Sequence, residues 1–135
     1  MDDRTARERF TAARFAVLGT VDPLRGTHVV PVVFAMAHDQ LVIPIDTVKR
    51  KKGTALRRVT NLERDPRASI LVDGRSEDWH RLWWVRADLT YVGHTGVDDV
   101  VMAALAAKYD AYAAPGSVDS VLRLSIGQLV GWSAT

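Results

Sequence analysis

The alternation of hydrophobic and polar positions along this chain predicts mostly strands. Apolar residues recur at every second position, or in short continuous runs, in six segments: 15–21, 27–37, 41–45, 68–72, 82–93 and 121–133. Helical spacing predicts three helices, at 3–15, 54–65 and 98–112. Six strands, with a helix between the third and the fourth, predict one domain over residues 1–135: mainly β, an antiparallel barrel with peripheral helices.

Two of the predicted strands are apolar on both faces. From Val29 to Phe34 both alternating sets of side chains are apolar, and Trp83 and Trp84 must point to opposite sides of their strand. A closed barrel has only one interior, so its outer apolar face needs a cover. Because the predicted helices are short, we expect a homodimer, with cover by helices of the same chain as the alternative.

Pro31 stands in the middle of the second predicted strand. Proline cannot donate to a strand ladder and is confined to edges, strand starts and bulges. We therefore expect the chain near Pro31 to be locally unpaired, with the polar backbone groups of its neighbours open to a planar ligand. An ordinary edge position is the alternative.

Positive charge is concentrated in one segment. The formal net charge of the chain is only +2, yet residues 49–67 contain eight basic and two acidic residues. This segment lies where a strand passes into a helix, and free backbone N–H groups there add to an anion site. It contains no aromatic residue on which a base could stack, so nucleic-acid binding is the weaker alternative.

Other features restrict the class of protein. The chain has no cysteine, no apolar run near the ~20 residues of a membrane span, and no apolar signal core at its start, so we expect a cytoplasmic protein without membrane contact. Its histidines show no metal-ligand spacing, and no nucleophile elbow or phosphate loop is present. The sequence therefore predicts neither a resident metal nor a catalytic side chain.

Several segments, taken in order, resemble a known superfamily. They are Gly19-Thr20, His28 to Phe34, Leu41 to Asp46, and Asn61 to Asp73 with its Asp65-Pro66-Arg67. They resemble the split β-barrel flavin and deazaflavin oxidoreductases, which include the pyridoxamine-phosphate oxidases. The segment from Asp78 to Asp88 and the closing Gly131-Trp132-Ser133 are similar to the branch that uses coenzyme F420.

The resemblance implies a six-stranded split β-barrel of the FMN-binding type, forming a homodimer with the cofactor at the subunit interface. It implies that the cofactor's ring lies along Val30, Pro31 and Val32. By the same resemblance, the phosphate-binding residues are Lys49, Lys52, Arg58 and Asn61. The candidates for a flat apolar wall of the acceptor pocket are Trp79, Trp84 and Trp132.

The implied function is an F420-dependent oxidoreductase that transfers a hydride between reduced deazaflavin and an unsaturated small-molecule acceptor. F420 carries a phosphodiester and a glutamyl tail, so the wide basic segment suits it better than FMN, which has one compact phosphate. Two alternatives stay open: an FMN-dependent enzyme like the pyridoxamine-phosphate oxidases, and a non-catalytic carrier of F420 or flavin. The lack of a catalytic side chain fits an enzyme whose cofactor supplies the chemistry.

Overall fold

The computed structural model of this 135-residue chain describes residues 1–46 and 54–135, and for residues 54–56 it describes the backbone only. The described helices are α1 (Asp3–Ala12), α2 (Thr54–Arg64) and α3 (Asp99–Lys108), with 3-10 turns at Trp79–Arg81 and Asp110–Tyr112. The strands are β1 (Ala16–Asp22), β2 (Gly26–Val32), β3 (Ala35–Ala37), β4 (Gln40–Asp46), β5 (Arg67–Gly74), β6 (Trp83–Thr95) and β7 (Val118–Ser133).

All seven strands form one antiparallel sheet in the order β2-β1-β5-β6-β7-β4-β3. Its two edge strands, β2 and β3, are consecutive in the chain and are separated only by Val33 and Phe34. So short a connection spans at most roughly 11 Å, which means that the sheet must curl until its edges approach each other. The sheet is therefore a split barrel, and its hydrogen-bonded order does not close between β2 and β3.

The break between β2 and β3 corrects the sequence prediction, which had one strand from 27 to 37 and six strands in all. At the break, the Phe34 N–H donates to the Tyr109 hydroxyl at 3.2 Å. The Phe34 carbonyl lies 2.9 Å from that hydroxyl and 2.9 Å from the Lys108 ammonium, which donates to it. Side chains from the end of α3 thus satisfy backbone groups that the interrupted ladder leaves free. The mainly β antiparallel architecture with peripheral helices is confirmed, and the strand count was wrong.

The barrel interior is filled by alternate residues of the strands and by α1. Leu18, Leu41 and Ile70 are buried there, and Phe10 of α1 contributes a ring whose centroid lies 5.2 Å from that of Phe34. Full burial of a side chain of this size stabilises the folded state by about 1.5–3 kcal/mol relative to leaving it exposed. This packing fixes α1 at the barrel, against β6 and β7.

A second apolar cluster lies outside the barrel, where α3 covers β3 and β4. Val101 and Leu105 of α3 are buried together with Val42 of β4 and Val121 of β7. β4 is therefore covered on both faces, inside by the barrel core and outside by α3. For this strand the cover comes from a helix of the same chain, which the sequence left as the alternative to a second subunit.

The pairing of the long strands β6 and β7 is irregular at two places, between Ala87 and Leu89 and between Tyr91 and Gly93, and the first lies next to Gly127. Ala87 pairs with Leu129 and Leu89 with Ile126, so that Gly127 and its neighbour both oppose Asp88. This arrangement is a β-bulge, which bends the strand locally. Among the described residues, no helix is both long enough and apolar enough to cross a membrane.

Candidate functional site

The outer face of β2, β1, β5 and β6 carries several exposed apolar side chains, and no described helix covers the part of it that opens as a cavity. Pro31 pairs with Val17, Val17 with Leu71, and Leu71 with Arg86, so these side chains share that face. Leu71 is 38% exposed and Val29, on the same face, is 62% exposed. The two-faced pattern in the sequence therefore corresponds to a large apolar surface that one chain leaves open.

A cavity of about 550 Å³ opens on this face, a volume typical of small-molecule sites. Its floor is formed by β1, β2, β5 and β6, with Trp132 of β7 at one side. Its apolar lining includes Val17, Val29, Leu71, Trp83, Trp84 and Trp132. Polar groups are few, as expected of a site that binds an apolar body and orients it with a few contacts.

The tryptophans predicted to wall an acceptor pocket divide into two groups. Trp84 and Trp132 are directly paired across β6 and β7, and both line the cavity. Trp79 lies in the 3-10 turn, is 75% exposed, and is not among the residues that line the cavity. The structure adds Trp83, whose ring lies against Gly74 and under the guanidinium of Arg9, at 5.0 Å.

Three charged side chains stand at the cavity. The Nε of Arg75 is 2.8 Å from the carboxylate of Asp73, and that contact raises the pKa of Arg75. The guanidinium of Arg86 lies over the ring of Trp84, 5.4 Å from its centroid. The cavity thus joins a flat apolar wall to one balanced ion pair and one further cation.

The residues predicted to contact a cofactor ring lie on the edge strand β2. Pro31 is exposed and faces outward, so it occupies an edge position, which is where a proline is tolerated. Val32 is buried in the barrel core and Val30 packs against that core. The side chains of Val30 and Val32 are therefore directed to the core, and none of Val30, Pro31 and Val32 is among the residues that line the cavity.

Of the four residues predicted to bind the phosphate, Arg58 and Asn61 lie on α2. Lys49 and Lys52 lie outside the described residues. Arg58 is half-buried, and its Nε is buried without a hydrogen-bond partner among the described residues. Burial lowers the pKa of Arg58. Asn61, one turn later, is buried, and its amide donates to the Thr20 hydroxyl at 3.1 Å. Arg58 is thus the cation with an unmet hydrogen-bonding demand.

Two polar residues near α2 were missed by the sequence analysis. His28 pairs with Thr20 across β2 and β1, and its Nδ1 is buried with no hydrogen-bond partner in the described part of the chain. Asp22 is buried; it accepts bonds from the backbone of Leu24 and Arg25 and lies 3.8 Å from the Nε of Arg57. The signal available in the sequence was that Asp22 and His28 flank the predicted turn between the first two strands.

Within residues 1–46 and 54–135, no group of three or more His, Asp and Glu side chains is placed to hold a metal ion. The cavity itself offers indole rings on which a ligand could stack and the guanidinium of Arg86, which makes no ion pair with the described residues.

Comparison with solved structures finds a similar fold in proteins of several functions. The chain is similar to a conserved hypothetical protein from Mycobacterium tuberculosis, with a TM-score of 0.75 and 15% identity over 99% of this chain and 86% of that one. It is similar to an FMN-binding protein from Syntrophomonas wolfei, with a TM-score of 0.68 and 14% identity over 97% and 88%. The heme storage protein HutZ from Vibrio cholerae matches with a TM-score of 0.66 and 16% identity over 97% and 93%.

A candidate pyridoxamine 5′-phosphate oxidase from Corynebacterium glutamicum also matches, with a TM-score of 0.59 and 13% identity over 98% and 96%. No protein-family model matches the chain, and no curated protein matches it. These neighbours do not single out the F420 branch that the sequence resembles. At such low identity the likeness shows the fold alone, a mainly antiparallel split β-barrel.

Proposed function

We propose that this chain is a flavin-dependent oxidoreductase that acts on a small unsaturated acceptor and works as a homodimer. The observation that carries the proposal is the open cavity of about 550 Å³ on the outer face of the barrel, beside the edge strand β2. An FMN-binding protein shares this fold, which favours FMN as the cofactor.

The anion end of such a cofactor fits the residues at α2. A buried polar atom without a partner is costly, and the Nε of Arg58 is one. A phosphate beside α2 would give that guanidinium its missing acceptor, by a charge-assisted hydrogen bond. His28 Nδ1, also buried without a partner in the described part of the chain, adds a second group that a ligand could satisfy.

The proposal of a homodimer rests on the exposed apolar side chains of the outer face. Val29 is 62% exposed, Trp132 45% and Leu71 38%, and all three lie on the face that holds the cavity. Exposed apolar surface of this kind marks an interaction site. A second copy seated on this face would cover the apolar surface and exclude water from the cavity.

The residues of this chain would bind and orient, while the cofactor, when bound, supplies hydride transfer. Trp84 and Trp132 offer a flat wall on which a conjugated acceptor would stack. On its outer edge β2 has no partner among the described strands, so backbone groups there would be open to a planar ring. No described side chain is required to move a proton.

Coenzyme F420 is the second candidate cofactor. The specific observation in its favour is the charge of residues 49–67, where eight basic residues stand against two acidic ones. One phosphate needs two or three cations, and the longer anionic tail of F420 could engage more of them.

A heme carrier, the function named for one structural neighbour, has less support in the cavity. Heme iron is held by His, Cys, Met or Tyr side chains. None of the described residues that line the cavity is of these types. A non-catalytic carrier of flavin or F420 would use the same cavity as the enzyme and is distinguished by turnover.

The test is a titration of the purified protein with FMN, with F420 and with heme, at two salt concentrations. We expect a flavin-type cofactor to bind most tightly, with an affinity that falls as salt rises because cations meet an anionic ligand. Tighter binding of heme than of either flavin would overturn the proposal. Tight binding without oxidation of the reduced cofactor by any conjugated acceptor would assign the chain as a carrier.

A further inference from the structure

One cation in the cavity has no acid to balance it. Arg86 lies on the outer face of β6, two residues after Trp84, with its guanidinium over that ring at 5.4 Å. To the described residues it makes neither an ion pair nor a hydrogen bond. Its five N–H donors are therefore available to a ligand that lies on the tryptophan wall.

The other cation of the cavity is already paired. Arg75 contacts Asp73 at 2.8 Å, and the carboxylate balances its charge. The three charged side chains at the cavity thus leave one positive charge uncompensated, and that charge is on Arg86. A ligand with a single negative group at one end would complement it.

The other lining residues indicate the shape and polarity of the rest of that ligand. Trp84 and Trp132 are cross-strand partners, and Leu71 and Val17 continue the apolar surface next to them. Indole rings favour a flat, conjugated partner. Arg binds a carboxylate in a bidentate manner, which fixes the orientation of the attached ring.

We infer that the acceptor of this site is a flat conjugated carboxylate and that Arg86 holds its carboxylate. The inference rests on the proposed function, because it names the substrate class of the same cavity. Its test needs no cofactor, since the tryptophan wall and Arg86 are both present in the protein alone.

The experiment compares 2-naphthoate with 2-naphthamide, which has the same ring but no charge, by isothermal titration calorimetry. A charge-assisted hydrogen bond should make naphthoate bind roughly 10- to 100-fold more tightly than naphthamide. In Arg86→Gln the preference should disappear while naphthamide affinity stays the same. Arg86→Lys keeps the charge without the bidentate fork and should retain part of the preference.

Two further variants sharpen the test. Arg81→Gln removes an exposed arginine that does not line the cavity, and the preference for naphthoate should be unchanged. Asp73→Asn frees Arg75 as a second cation, and the preference should rise several-fold.

Equal affinity of the protein for the two ligands, absence of naphthoate binding, or a preference that survives Arg86→Gln would each overturn the inference. The flavin titration is independent of these results. If flavin binds and naphthoate is not preferred, the acceptor class is wrong and the proposed function stands. If naphthoate is preferred and no flavin-type cofactor binds, the proposed function is wrong.

Discussion

Asn61 and Thr20 are joined by a hydrogen bond of 3.1 Å from the amide nitrogen of one to the hydroxyl of the other. Both side chains are buried, so this bond ties α2 to β1 beneath the helix that carries Arg58. The pair has a structural role that is separate from any contact with a cofactor.

Replacement of Asn61 by Ala should therefore destabilise the fold. The Thr20 hydroxyl would lose its donor in a buried place, and the expected loss is about 1–3 kcal/mol in the free energy of unfolding. Urea unfolding followed by circular dichroism measures it. Thr60→Ala, at an exposed position on the same helix, is the control and should change stability by less than about 0.5 kcal/mol. An Asn61→Ala protein of unchanged stability but weaker cofactor binding would mean that Asn61 serves mainly the ligand.

Arg58→Ala should behave in the opposite way. Its half-buried guanidinium has an unmet hydrogen bond, so its loss should leave the free energy of unfolding unchanged or higher. If Arg58 holds the phosphate, the affinity for the bound flavin or F420 should fall by about 1.5–3 kcal/mol. Arg64→Ala, which removes an exposed arginine at the end of the same helix, should leave that affinity within a few-fold. Unchanged affinity in Arg58→Ala would place the phosphate elsewhere.

The strand pattern was readable from the sequence because its period depends only on neighbouring residues. The break after Val32 was not, because the pattern continues without interruption through Val33 and Phe34. The groups that stabilise the break belong to Lys108 and Tyr109, the latter 75 positions further along the chain. No local pattern contains that pairing.

In the candidate site, too, local sequence patterns were readable and contacts between distant strands were not. The two-faced strands predicted an outer apolar face that needs a cover, and the structure leaves apolar side chains exposed on the outer face of β1, β2, β5 and β6. The sequence could not show that α3 covers the outer face of β4 and leaves the outer face of β1, β2, β5 and β6 uncovered at the cavity. Nor could it show that Trp132 lies beside Trp84, because that contact depends on how distant strands pair. Trp79, close to Trp84 in the sequence, is turned to solvent and does not line the cavity.

The proposed dimer can be tested by placing a charge on the apolar face. Leu71→Lys puts an ammonium at the centre of that face, where a second copy would have to bury it without a partner. We expect sedimentation at low micromolar concentration to give a dimer for the unmodified chain and a monomer of 14.9 kDa for the variant. Leu24→Lys, in the exposed turn after β1, is the control and should stay dimeric. A monomer for the unmodified chain would remove the basis for an interface site.

The stability of the fold should depend on alkaline pH in two steps. Burial and the nearby Arg14 lower the pKa of Lys108 from 10.5 to about 8. Between these values the unfolded chain binds more protons than the folded one, so stability should rise with pH. Because Lys108 is partly exposed, the gain should be only on the order of 1 kcal/mol.

Above pH 10 the tyrosines reverse this trend. Burial and a hydrogen bond to Glu63 raise the pKa of Tyr91 from 10.0 to about 12, and burial also raises the pKa values of Tyr109 and Tyr112. The unfolded chain then loses protons first, so stability should fall between pH 10 and 12. Urea midpoints measured from pH 7 to 12 should pass through a maximum near pH 9–10. Lys108→Met should abolish the rise and keep the fall; a rise that persists in this variant would contradict the assignment to Lys108.

Gly74 should tolerate no side chain, because the ring of Trp83 occupies the space where a Cβ would lie. A Cβ added at Gly74 would overlap the indole, with Cε2 at 2.5 Å and Cδ1 at 2.6 Å. The ring packs against the barrel core and cannot move away freely, so Gly74→Ala should cost about 1–3 kcal/mol in the free energy of unfolding and shift the near-ultraviolet circular dichroism. Gly93→Ala is the matched control, since a Cβ there meets nothing within 4 Å, and it should change stability by less than about 0.5 kcal/mol. Equal effects of the two variants would mean that Trp83 does not lie on Gly74 in solution.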